Sequence, residues 1–345
     1  MGKVALWLGL LSGVLFGIAT PLSKLLLGSL NAFQLAGLLY LGAAITNGGV
    51  VFKKKKAFQG LWLQKAQGLK LLGVVLFGGL LGPLFLMLGL GLAKASSVAI
   101  WLNFELVATA VLGVWIFKDH LDLAGWIGVV MTLIAGVLTT FEAGSSGILP
   151  GFLVVLACSS WAVDNHLTAI IDGVDPEVIT FIKGSVAGLI NFTIGTAMVG
   201  ALPTLTILGL ALLVGMVSYG LSITLYVISA QSIGATRGQI LFSTGPIWGV
   251  LAAGLLLGEK VTGMTLLSIG FLAAGVILTN VLSHEHDHEH TDIEHVHVHS
   301  HSDDHHDHSH LENDVQKVHS HSHIHHAHLH KHKHFPDLHH RHNHA

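Results

Sequence analysis

The chain of 345 residues is 51% hydrophobic and only 11% charged, with a mean hydropathy of +0.66. That balance excludes an ordinary water-soluble globule and fits a polytopic membrane protein. The formal charge of −3 conceals a division: residues 1–282 carry 13 basic and 9 acidic side chains, whereas residues 283–345 carry 4 and 11. The single cysteine, Cys158, lies in an apolar run, so there is no disulfide framework. No glycine-rich phosphate-binding motif and no soluble catalytic domain can be drawn, so neither an enzyme nor a nucleic-acid binder is expected.

Ten apolar segments of spanning length follow one another. They are Val4–Leu27, Phe33–Phe52, Leu69–Ala93, Ser96–Phe117, Leu123–Phe141, Ile148–Ile171, Pro176–Gly200, Leu205–Ala230, Thr236–Leu257 and Gly263–Leu282. The first resembles a signal peptide in starting with Lys3, but it runs on too long and no small-residue cleavage site follows, so it reads as the first helix. Glycines at four-residue spacing (Gly9, Gly13 and Gly17; Gly184 and Gly188; Gly245 and Gly249) predict close helix packing. Pro21, Pro83 and Pro246 fall inside spans, where each removes a backbone hydrogen bond. The seventh segment has a clear start in Asp175, Pro176 and Glu177.

The fourth segment holds one carboxylate. At ~1.5 Å of rise per residue, Glu105 stands ~14 Å into a helix that begins at Ser96. This is about the midplane of a hydrocarbon core ~30 Å thick. An ionisable group at that depth is costly, and it marks a functional position unless it only locks packing as a protonated acid.

Lys53, Lys54, Lys55, Lys56, Lys65 and Lys70 gather around the second connection. A cytoplasmic second connection puts both termini inside the cell (inner) membrane. Each half of the chain also repeats features of the other: Phe117-Lys118-Asp119 returns as Leu257-Gly258-Glu259, and Ala135-Gly136-Val137 as Ala274-Gly275-Val276. Five spans per repeat force the halves into opposite orientations. The expected fold is therefore all-α and polytopic. It has ten transmembrane helices as two inverted five-helix repeats, 1–141 and 142–282, followed by a disordered His-rich tail, 283–345.

The motifs Phe16-Gly17-Ile18-Ala19-Thr20-Pro21-Leu22-Ser23-Lys24, Leu102-Asn103-Phe104-Glu105, Trp161-Ala162-Val163-Asp164-Asn165, Lys183-Gly184, Tyr219-Gly220-Leu221-Ser222 and Gly258-Glu259 resemble the EamA-type permeases of the drug/metabolite transporter superfamily. The resemblance covers all ten segments and is nearest to a subgroup with a histidine-rich C-terminus. It departs at Asp119, where relatives carry glutamate, and at Ala169, where a basic residue is expected. It implies a ten-helix permease for a small solute.

Candidate substrate or coupling residues are Glu105, Asn103, Asp164, Asn165, Lys183 and Lys24. Asp164 and Lys183 each lie seven residues from the short connection between their helices, so they are expected to face one another. A lone His166 reads as a satisfied group near a helix end. In the tail, 25 of the 27 histidines recur, largely as His-x-His. Neutral imidazole suits zinc, nickel or cobalt. The expected metal ligands are His284, His286, His288, His290, His295, His297, His299, His301, His305, His306, His308 and His310. No cofactor is required. The expected partners are a small-molecule or ionic solute, the lipid bilayer and divalent metals at the tail, with a homodimer as an open option. The function expected is secondary active transport by alternating access. The rivals are a divalent-metal exporter that uses the tail as collector, and a membrane-anchored metal sensor or store.

Overall fold

The computed structural model describes residues 2–53, 65–117, 123–169, 171, 174–233 and 241–281, and the backbone of four short tail strands. Among the described residues before the tail, every regular element is helical. The elements are α1 (Gly2–Leu26), α2 (Ala32–Val51), α3 (Lys65–Gly73), α4 (Gly82–Leu92), α5 (Ala95–Trp101), α6 (Phe104–Leu112), α7 (Leu123–Ala143), α8 (Ile148–Ala169), α9 (Pro176–Val199), α10 (Leu205–Val214), α11 (Ser222–Ile233), α12 (Gly245–Leu257) and α13 (Gly263–Val281). Seven stretches of described residues are long and apolar enough to cross a membrane. One of these, Gly125–Thr168, is interrupted by the turn Gly144–Gly147, with Gly144 at φ 66°. The helices Gly245–Leu257 and Gly263–Leu278 are apolar but shorter. Many large apolar side chains face outward, including Trp7, Leu69, Phe141 and Leu255. In lipid such a surface carries no hydrophobic penalty.

α2 lies along α9 and α7 along α13, while α1 rests on α11 and α12 and α4 on α8. The glycines make these approaches possible. A Cβ on Gly184 would stand 2.7 Å from the Tyr40 carbonyl oxygen, and one on Gly188 would stand 2.9 Å from the Leu41 nitrogen. Gly17 is likewise pressed against the backbone of Gly245. Leu35, Leu38, Leu39, Leu86, Leu90 and Trp101 form a fully buried centre between these helices.

Several helices are not regular. α3 joins α4 through the π-helical segment Val74–Leu81, α6 ends in a second one, Gly113–Phe117, and α10 joins α11 through a third, Gly215–Leu221. α5 and α6 are separated by the turn at Leu102 and Asn103, and α12 is preceded by a turn at Ser243 and Thr244. Of the three prolines expected inside spans, Pro21 stays within α1 and Pro83 within the continuous helical stretch Gln67–Leu92, whereas Pro246 follows the turn at Ser243 and Thr244 and opens α12. At Pro246 the missing N–H costs little, whereas at Pro83 it lies within a continuous helix.

The tail departs from the structureless expectation. β1 (Glu285–Glu289) pairs antiparallel with β4 (Leu329–Lys333), and β2 (Ile293–Ser300) with β3 (Val318–His325). The physical reason is periodicity: His-x-His alternates with period two, which is the strand period as well as a ligand spacing. Of the expected metal ligands, His286, His288, His295, His297 and His299 fall in these strands. His284, His290, His301, His305, His306, His308 and His310 lie outside the described residues, as do Lys118, Asp119 and Arg237.

Candidate functional site

The site is built where α5 stops and α6 begins. After Trp101 the backbone tightens: Asn103 N–H donates to Ile100 O at 3.2 Å, Glu105 N–H to Leu102 O at 3.2 Å and Leu106 N–H to Asn103 O at 3.0 Å. These three-residue bonds replace the four-residue helical register and leave carbonyls on the far side of the turn. The Cys158 thiol lies against two carbonyls of this turn, with Sγ 3.8 Å from Trp101 O and 3.5 Å from Leu102 O, the latter also accepting Glu105 N–H. Trp101 is fully buried, and its indole N–H donates to Gly136 O at 3.2 Å, pinning the end of α5 to α7. Asn103 sits buried in the turn, and Glu105 falls in the first turn of α6.

α8 supplies the opposite wall. Trp161, Asp164 and Asn165 recur at three- and four-residue spacing and so share one face. The Asn165 amide donates to Glu105 Oε1 at 2.8 Å. Among the described residues, no other side chain hydrogen-bonds that carboxylate. Asp164 turns toward α9, where Lys183 Nζ lies 2.6 Å from its Oδ2. The pair is largely sheltered, with side-chain exposures of 16% for Lys183 and 6% for Asp164. Thr168 Oγ1 donates to the other carboxylate oxygen at 3.4 Å. Gly78 lies directly against the Asp164 carboxyl, with no room for a Cβ.

The π-helical turn around Gly78 is held from outside. Gly78 O accepts the Tyr40 hydroxyl at 2.6 Å and the Trp161 indole N–H at 3.1 Å. Asn191 Nδ2 reaches Leu80 O at 3.3 Å. A side chain from α2, one from α8 and one from α9 thus meet the carbonyls that a shifted helical register exposes.

Glu105 with Asn165, and Asp164 with Lys183, are therefore brought together as two adjoining pairs, each within electrostatic range of the other. Lys24 belongs elsewhere. Its ammonium donates to Leu90 O at 2.6 Å and Gly91 O at 3.2 Å, at the C-terminal end of α4. There a cation meets the negative end of the helix dipole. Beside it is a cavity of about 610 Å³ lined by Leu27, Leu30, Asn31, Met87 and Leu92. His166 is buried and its Nδ1 lies 2.7 Å from Ala162 O, the satisfied role expected of it. Among the described residues no three His, Cys, Asp or Glu side chains converge to hold a metal.

Two features were missed from sequence. Glu259 accepts from Ala95 N–H at 2.8 Å and Ser96 N–H at 2.9 Å, and so caps α5 from the other half of the chain. Its motif partner Gly258, at φ 66°, was the available signal of a turn there. The second is an unbroken row of rings. Tyr40 lies 5.8 Å from Tyr219, Tyr219 5.8 Å from Phe16, Phe16 5.0 Å from Phe242, and Phe242 5.1 Å from Tyr226.

Comparison with known proteins gives this arrangement its setting. The model of the EamA-like transporter family matches residues 3–141 and again 148–281. The chain belongs to the EamA-like transporter family. Its members are transporters, and this chain is accordingly a polytopic membrane protein with apolar transmembrane helices. It is similar to an uncharacterized transporter of Methanothermobacter thermautotrophicus, with 26% identity over 286 residues, covering 77% of this chain and 82% of that protein. A protein of known crystal structure has the same fold, with a TM-score of 0.60 at 14% identity, covering 81% of this chain and 98% of the other.

The Asp164–Lys183 pair makes a direct prediction. Lys183→Met leaves an unpaired buried carboxylate and is expected to cost about 3 kcal/mol of stability. Asp164→Asn combined with Lys183→Met removes both charges and should recover most of the loss. Thermal unfolding of the detergent-solubilised variants measures this, and equal loss in the single and double variants would deny the coupling.

Proposed function

We propose that this EamA-family protein is a secondary active transporter that moves a small solute by alternating access, with the solute bound beside Glu105. No enzymatic step is part of the reading. In it the ten apolar segments are ten spans, arranged as two inverted repeats over residues 1–141 and 142–282. The two family matches, to 3–141 and 148–281, support this division.

The observation that carries the proposal is that the helices are interrupted at matching places in the two halves. The π-helical segment that begins at Val74 has its counterpart beginning at Gly215, 141 positions later. The turn at Leu102–Asn103 has its counterpart at Ser243–Thr244, also 141 positions later. A packing defect has no reason to recur at one offset, whereas transporters of inverted-repeat design bind solute at paired helix breaks near the midplane. Glu105 stands beside the first break, about 15 Å along from Ala95. The lysine-rich second connection supports an orientation with that face, and both termini, in the cytoplasm of a cell (inner) membrane.

Glu105 is the residue for solute binding or proton coupling, and Asn165 and Asn103 are its polar neighbours. Asp164 and Lys183 hold the wall of the site. In liposomes screened with amines, carboxylates, sugars and divalent metals, the wild-type protein is expected to move at least one class. Glu105→Gln should lose gradient-driven flux of that solute while keeping the wild-type unfolding temperature. Undiminished coupled flux in the Glu105→Gln protein would leave only a packing role.

A second reading concerns the tail alone and involves binding rather than transport. The strand register supports it, since His295, His297 and His299 stand opposite His323, His321 and His319, and His286 and His288 opposite His332 and His330. We propose that these ladders bind zinc, nickel or cobalt. Only neutral imidazole is a ligand, so affinity should strengthen as pH rises through the ordinary histidine range near ~6.5. Calorimetry of the full chain against a chain ending at 282 checks this. Equal heats from the two would remove the tail as a metal site.

A further inference from the structure

The solute-binding reading leaves the solute's chemistry open, and the charges and rings around Glu105 narrow it. The charged side chains proposed for the site are Lys24, Glu105, Asp164 and Lys183. Three of them are matched locally. Asp164 and Lys183 neutralise one another at 2.6 Å, and Lys24 is held by the carbonyls of Leu90 and Gly91. Glu105 is held only by a neutral amide, that of Asn165. Among the described residues the carboxylate at the break therefore has no ionic partner of its own, and the cation within its electrostatic range, Lys183, is already paired with Asp164. An anionic solute placed there would meet repulsion, with no free cation among the described residues of the site in return.

The row of rings adds a second, independent feature. It starts on α2 at Tyr40, passes through Tyr219 and Phe16, and ends with Phe242 and Tyr226, beside the break of the second half. The row thus crosses from one half of the chain to the other and back. Tyr40 and Tyr219 are buried, whereas Phe16, Phe242 and Tyr226 keep part of their surface open. Tyr226 and Tyr40, at the two ends, both lie within electrostatic range of Glu105. Aromatic faces attract a cation within about 6 Å of the ring centre, most strongly where water is excluded. Their edges and faces also accept an apolar body, which a hydrated metal ion lacks.

We infer that the solute is an organic ammonium ion, its charged nitrogen beside the Glu105 carboxylate and its apolar body along Tyr226, Phe242 and Phe16. This rests on the proposal that Glu105 marks the solute site. It goes beyond that proposal in excluding carboxylates, sugars and bare metal ions as preferred solutes.

Three molecules of one skeleton and different charge make the test: phenethylamine, 2-phenylethanol and phenylacetate, which are cationic, neutral and anionic at neutral pH. Binding of each to the full-length protein in detergent is measured by displacement of radiolabelled phenethylamine. The amine should bind at least about tenfold more tightly than either of the others, since one ion contact of modest strength supplies that factor. Glu105→Gln should bring the three within about twofold of one another, whereas Glu105→Asp should keep the order. Tyr226→Leu should weaken the amine by about fivefold, and Tyr226→Phe should not. No amine binding, a preference for phenylacetate, or an unchanged preference in Glu105→Gln overturns the inference. Uptake into liposomes separates it from the transporter reading. Amine binding without uptake counts against transport and leaves the cation site standing. Uptake of a non-cationic solute by a protein that does not bind the amine has the opposite meaning.

Discussion

A carbonyl freed by a helix break inside a membrane has no water to turn to, and leaving it unpaired costs a few kcal/mol. Several of the irregularities here are met by a side chain from another helix. Tyr40 and Trp161 close on Gly78 O, Asn191 on Leu80 O, and Cys158 on Trp101 O. In the second half, Thr46 Oγ1 donates to Met216 O at 3.2 Å. The N-terminal side of the broken helix is met by a charge, the Glu259 carboxylate on the N–H groups of Ala95 and Ser96. The breaks are thus properties of the packed bundle. They stand where two halves of the chain can supply one another's missing partners.

The same economy governs the charges. Lys24 lies on the C-terminal carbonyls of α4 and Glu259 on the N-terminal N–H groups of α5, so each end of the α4–α5 corner meets the sign its dipole favours. Asp164 and Lys183 cancel one another beneath Gly78, whose lack of a side chain makes room for the carboxyl. Glu105 is different. It has a polar partner but no ionic one, and it adjoins the break where the wall of the bundle is least regular. Retaining such a group at that depth is costly unless it has a task.

Much of this could be read in the sequence, for identifiable reasons. The apolar segments are long enough that no other structure competes for them, and the place of Glu105 within its apolar stretch follows from counting residues. Counting seven residues from a short connection was enough to bring Asp164 and Lys183 together. The glycine spacings announced close packing, which the α2–α9 contact displays at Gly184 and Gly188. The π-helical segments were not legible. Val74–Leu81 is a plain apolar run, and its altered register is imposed by Tyr40, Trp161 and Asn191 from three other helices. Position within a span groups Lys24 with the central charges, yet its partner is a helix end 66 residues away. The tail's composition alone predicts no structure, while its period-two alternation also allows strands.

The central claim is that Glu105 and Asn165, beside the break, form a solute site that is reached from one face of the membrane. Asn165 is exposed there although it hydrogen-bonds to Glu105. Asn165→Cys, introduced into a chain in which Cys158→Ala removes the native thiol, reports on this directly. In sealed vesicles a membrane-impermeant, charged thiol reagent should modify that cysteine from one face of the membrane. Modification only by a lipid-soluble reagent, and from neither face by the charged one, would contradict the account.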